Sequence, residues 1–189
     1  MKNFSNRYML LYALGLASVV ALLLTVVSMS LKERQTRNQQ AEVKQMILKT
    51  IGIEATHENA EALYAEHIME TTTANGLPLY KYDQGIVIPL NGNGLWGPIW
   101  GYLAINNNGS VAGAVFDHQG ETPGLGAEIA TDKFARQFIG KSFLEPIVLK
   151  KNADNNNPYE VDAISGGTMT SNGVTDMLAN AYELYGKEL

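Results

Sequence analysis

Asp162-Ala-Ile-Ser-Gly-Gly-Thr-Met-Thr-Ser-Asn-Gly173 is the stretch on which the fold turns. It reads as the end of an apolar strand, a Gly-Gly loop crowded with hydroxyls, and the start of a helix. Val174, Met177, Leu178, Ala181 and Tyr185 follow at helical spacing and turn one apolar face toward a core. The loop therefore sits at a helix N-terminus, where free backbone N–H groups and the positive end of the dipole favour an anion. Gly166 and Gly167 allow close approach of the backbone to a ligand. The hydroxyls of Ser165, Thr168 and Thr170, with Ser171 next, suit a phosphate; the same composition also serves as an ordinary helix N-cap.

Upstream of this loop the chain is strand-rich. Residues 79–82, 85–90, 99–105, 111–116, 146–149 and 159–164 are short runs of β-branched and aromatic residues. Asn106-Asn-Asn-Gly109 has the composition of a hairpin turn, which makes its flanking strands antiparallel. One helix interrupts the strands, with Thr131 as cap, Phe134, Phe138 and Ile139 inward and Gly140 past its end. Two more precede them: one with Val43, Met46, Ile47 and Ile51 on its inner face, stopped near Gly52, and one from Glu58 to Met69 capped by Thr56. Thr71–Gly76 is expected to break the pattern. The fold class is α+β, a mainly antiparallel sheet flanked by helices.

The N-terminus carries a different signal. From Tyr8 to Leu31 there are 24 consecutive residues without a charge, dominated by Leu, Ala and Val. About 20 apolar residues span a bilayer, against 7–15 in the core of a signal peptide. A retained single-pass anchor is the favoured reading, although Ser28-Met-Ser30 offers a small-x-small pattern that a signal peptidase could accept. Positive charge flanks both ends and barely decides orientation. All 19 acidic residues and 12 of the 14 basic ones lie past residue 31, so the body carries a net charge of −7. Such a body is a poor partner for nucleic acid.

Composition closes several other routes. Without cysteine there are no disulfides, Cys-ligated metals or thiol catalysis, and His57, His67 and His118 have no paired-ligand spacing, so no metal site is expected. No Ser–His–Asp set, paired acid/base carboxylates or nucleophilic lysine is apparent, so no independent catalytic site is expected. Gly92-Asn-Gly94-Leu-Trp-Gly97 fits the dinucleotide fingerprint G-x-G-x-x-G, but a strand-like run follows it where the fingerprint requires a helix, and NAD binding there is rejected.

Ser165-Gly-Gly-Thr168-Met-Thr170-Ser171, preceded by Asp162, resembles the Asp-x-x-Ser/Thr-Gly-Ala-Thr-x-Thr-Ser motif of covalent FMN-binding domains. In that family a flavin transferase joins FMN through its phosphate to the second hydroxyl residue, which by position is Thr168; Gly167 stands where the family usually has Ala. Gly94-Leu-Trp-Gly97, Ile99-Trp-Gly-Tyr102 and Phe116-Asp-His-Gln-Gly-Glu-Thr-Pro-Gly-Leu-Gly-Ala-Glu128 are similar to the C subunit of the sodium-translocating NADH:quinone reductase. The Glu121–Gly126 run is shared with the G subunit of the related Rnf complex, the nearer alternative. A membrane-anchored binding domain without flavin is the further one.

The resemblance implies an organisation of residues 1–7 as a short cytoplasmic N-terminus, 8–31 as transmembrane helix, 32–70 as helical spacer packed on the domain, and 71–189 as FMN-binding domain. It implies a domain facing the periplasm from the bacterial inner membrane, other reductase subunits as partners, and a flavin transferase for maturation. It implies a flavin site built from Asp162, Ser165, Gly166, Gly167, Thr168, Thr170 and Ser171. In the central motifs Pro123-Gly124 suits a type II turn. Glu121, Thr122, Gly124 and Leu125 are then expected beside the polar edge of the flavin, with Trp96 as a flat apolar surface against its ring.

Overall fold

The structure is a computed structural model and describes residues 5–188, so residues 1–4 of the expected N-terminal segment lie outside it. The chain divides into two units, Met1–Ala41 and Glu42–Leu189. In the first, helix α1 (Asn6–Thr50) carries the apolar run with all its side chains exposed. Among the described residues it is the one helix long and apolar enough to cross a membrane. The polar stretch 32–40 is helical too, since Lys, Glu, Arg and Gln are good helix formers. The helix ends after Thr50, whose hydroxyl donates to the Ile47 carbonyl, and Gly52 takes φ +81° beyond it.

The second unit is organised by a five-stranded antiparallel sheet in the order β1 (Met69–Thr72), β2 (Pro78–Tyr82), β3 (Gly85–Asn93), β4 (Pro98–Asn106), β5 (Val111–His118). The Asn106–Gly109 turn closes β4 onto β5, with the Gly109 N–H donating to the Asn106 carbonyl and Gly109 at φ +78°. Inward-facing Ile88, Leu90, Ile99, Leu103, Val111 and Phe116 alternate along the three longest strands. Against this face packs α4 (Thr168–Tyr185), burying Val174, Met177, Leu178, Ala181 and Tyr185, the stripe its periodicity predicts. The opposite face holds a smaller cluster, in which Ile47 and Leu48 of α1 and Tyr64 of α2 (Ala60–His67) meet Val87 and Ala104. Ile47 and Leu48 are completely buried, so the C-terminal part of the expected spacer belongs to the domain's own core.

Three local expectations are corrected. The N-cap position of the second helix is Asn59 rather than Thr56; the Asn59 side chain makes no cap to the helix and instead accepts from the Thr56 N–H. It stops at His67, and Met69–Thr72 forms an edge strand paired to β2, where a break in structure was expected. The helix after Thr131 is one short turn, α3 (Asp132–Ala135), continued as a 3-10 turn to Phe138. Phe134 and Phe138 are buried there and pack edge-on and tilted against Phe116, but Ile139 is 56% exposed because the chain has already left the helix. Two short strands, β6 (Val148–Lys150) and β7 (Glu160–Asp162), pair in parallel and lead into the loop before α4.

Candidate functional site

Three segments, far apart in sequence, meet at the N-terminus of α4. The first is the loop 163–167. The Gly167 N–H donates to the Ile164 carbonyl at 3.0 Å and Gly166 sits at φ +75°, the requirement of a type II turn at its third position. Gly167 then occupies the N-cap position with no side-chain cap, so the N–H groups of the first turn, beginning at Thr168, have no side chain drawn over them.

The second is the loop after β5. The Leu125 N–H donates to the Thr122 carbonyl at 3.1 Å across Pro123-Gly124, and Gly124 takes φ +74°, the turn geometry expected from the sequence. Leu125 lies over Gly166 closely enough that a Cβ there would come within 2.7 Å of its Cδ2. The third is the tip of the β3–β4 hairpin, Gly94-Leu95-Trp96-Gly97, closed by the Gly94 N–H on the Gly97 carbonyl at 2.8 Å. Its hairpin form explains why G-x-G-x-x-G is no dinucleotide site: no helix follows it.

Glu121 joins the three. It is 4% exposed, and one carboxylate oxygen accepts the backbone N–H of Trp96 at 2.8 Å while the other accepts the hydroxyl of Thr170. Its own N–H donates to Nδ1 of His118. Burial acts to raise its pKa. Hydrogen bonds from Thr170 and from the Trp96 and Leu95 backbone, with the nearby His118, outweigh that and hold the carboxyl below its ordinary range. Both of its carboxylate oxygens are turned inward and used by protein partners.

The hydroxyls separate in the same way. Thr170 and Ser171 are buried; Thr170 is spent on Glu121, and Oγ of Ser171 accepts the Ile164 N–H at 3.0 Å, tying the loop to the helix. Ser165 and Thr168 are exposed. The three segments also expose apolar side chains: Trp96 is 69% exposed, Met169 60%, and Leu95 and Leu125 are exposed too. Thr122 and Gly124 are exposed on the rim. Asp162 is not drawn into the cluster. At the end of β7, its carboxylate accepts the Ala153 N–H at 2.9 Å and steadies the 151–157 loop.

Sequence reasoning passed over Leu95, Met169 and His118 as site residues. The first two sit inside the quoted motifs as neighbours of Trp96 and Thr168. The role of His118 depends on a loop closure that no local pattern announces.

Residues 94–183, which contain all three segments, match the model of the FMN-binding domain family. The chain is 36% identical over 164 residues to the C subunit of the Na(+)-translocating NADH-quinone reductase of Chlamydia caviae, covering 75% of this chain but only 49% of that protein, so it spans about half the relative's length. Its match to the same subunit of Vibrio parahaemolyticus is 26% identical over 231 positions, covering 91% of this chain and 88% of the other. The crystal structure of the corresponding Na(+)-translocating NADH-quinone reductase subunit from Parabacteroides distasonis superposes with a TM-score of 0.74 at 31% identity, covering 83% of this chain and 96% of that one. With fold, motif order and close structural coverage in agreement, the chain belongs to the family formed by the C subunits of Na(+)-translocating NADH-quinone reductases.

Proposed function

We propose that the chain is the membrane-anchored electron-carrying subunit of a sodium-translocating NADH:quinone reductase, and that it relays electrons through FMN joined by a phosphoester to Oγ1 of Thr168. The observation that carries this is the sorting of hydroxyls: Thr170 and Ser171 face inward to protein partners, while Thr168 is exposed at the first residue of an uncapped helix. A phosphodiester on Thr168 would lie by the first-turn N–H groups and the positive end of the α4 dipole, which favour it. Trp96, Leu125 and Met169 would offer the apolar flank for a ring, and Gly166 and Gly167 keep the loop low beside it. These residues fit FMN in chemistry and exposure.

Attachment needs an activated phosphate, because a free monoester would have to expel hydroxide. Oγ1 of Thr168 would lose its proton and bond to the FMN phosphorus as the anhydride bond of a flavin dinucleotide broke, and a nucleoside monophosphate would leave with the proton. The transferase would supply the base. Bound FMN passes one or two electrons, and the protein's part is to hold it and set its surroundings. The phosphate end is remote from the ring's electronics, so attachment secures the group without tuning it. An outward-facing domain would lose a dissociable flavin, which gives covalent linkage its purpose. In this reading α1 is the anchor, the domain faces the periplasm, and the partners are the other reductase subunits, including one with a second covalent FMN and one with the NADH site. Intact-mass analysis of the full chain made with a flavin transferase should find one FMN less one water, localised by fragmentation to Thr168. A chain of unmodified mass, beside a transferase active on another substrate, would remove the proposal.

A further inference from the structure

A desolvated carboxylate at the meeting point of three loops is costly unless both of its oxygens are hydrogen-bonded. Glu121 meets that condition with donors from separate segments: Leu95 and Trp96 at the hairpin tip, and Thr170 in the first turn of α4. The chain makes room for it with glycines. A Cβ at residue 94 would lie 2.5 Å from one carboxylate oxygen, and a Cβ at residue 126 would lie 2.2 Å from the other and 2.4 Å from the Thr170 hydroxyl. Gly173 completes the junction: a Cβ there would lie 2.2 Å from the Asn93 carbonyl, so α4 touches the hairpin backbone directly. Neither Glu121 nor Thr170 reaches the surface around Thr168.

We propose that Glu121 and Thr170 form a positioning pair, which fixes the Trp96 hairpin tip against the first turn of α4 and so presents Thr168 and its apolar flank in the geometry that flavin attachment requires. The inference rests on Thr168 being the attachment residue. The pair acts through backbone placement. The Thr170 hydroxyl orients the carboxylate, the carboxylate holds the Trp96 amide, and that contact fixes the hairpin tip, which carries the exposed Trp96 side chain, against the first turn of α4. The two residues are one device, and removing either should release the same tip.

The test uses the full apo chain in detergent with a flavin transferase and flavin dinucleotide, following covalent flavin on denaturing gels with time. Thr170→Val keeps the side-chain shape and removes the donor; Glu121→Ala removes the acceptor. Each should slow loading by about tenfold or more, the scale on which misplacement of a reacting group acts. The double variant should be no slower than the worse single one, because coupled residues are non-additive. Thr170→Ser returns the hydroxyl and should recover the rate that Thr170→Val loses. In the apo chain, amide exchange in the peptide 93–98 should quicken in both single variants while that of the Leu103 region stays unchanged. If Glu121→Ala does not fold, the Val and Ser variants at residue 170 decide. Variants that load at the wild-type rate, or losses that multiply in the double variant, would overturn the pair while leaving attachment at Thr168 intact. A wild-type chain that never loads would instead overturn the attachment reading, and this inference with it.

Discussion

Gly173 shows how single residues set this site. Its Cα faces the Asn93 carbonyl with no room for a methyl group, so Gly173→Ala must push α4 off the hairpin. A cost of about 1–3 kcal/mol, as for other overpacked positions, should appear as a lowered midpoint in chemical denaturation. Thr170→Val should cost about 1.5–3 kcal/mol by the same measurement, since it strips a donor from a buried charge. Glu121 also carries a pH signature. Its folded pKa lies below the ordinary 4.5, so its contribution to stability is present above that value and fades as pH falls through the lower folded one. Wild type should therefore lose more stability than Glu121→Gln between pH 5 and the acid limit. Little of this was legible in the sequence. The Pro-Gly turn read correctly from composition, but that Thr170 turns inward depends on a partner 49 residues away.

Elements were legible where burial gives them a period. The stripe of α4 and the alternation of β3 to β5 come straight from the requirement to cover one core. Strand β1 had no such mark: Met69, Glu70 and Thr72 are exposed and Thr71 half-buried, so only the backbone of β2 makes it a strand. The continuity of α1 through 32–40 carries no apolar period of its own and rests on a run of good helix formers without a stop. Ile139 was assigned inward by extending a helical period past the point where the backbone abandons it. The aromatic knot of Phe116, Phe134 and Phe138, with centroids 5.0–5.4 Å apart, joins the loop after β5 to the core beneath it. Phe138→Ala should cost about 3–5 kcal/mol, read by denaturant titration of the full chain.

At the scale of the whole molecule, the two units invite separation. Residues 42–189 hold both buried clusters and all three segments of the site, so a chain starting at Glu42 should fold, stay in solution without detergent and accept flavin, as thermal melting and loading would report. The full chain should fractionate with membranes through residues 8–31. The family was legible in the order of the motifs; the buried carboxylate that joins them was not. The central claim, covalent FMN on Thr168, is met most directly by in-gel flavin fluorescence after full denaturation, comparing the chain co-expressed with a flavin transferase against Thr168→Val. The account predicts a fluorescent band that disappears in the variant. A band that persists in Thr168→Val, or a dark wild-type band beside an active transferase, would contradict it.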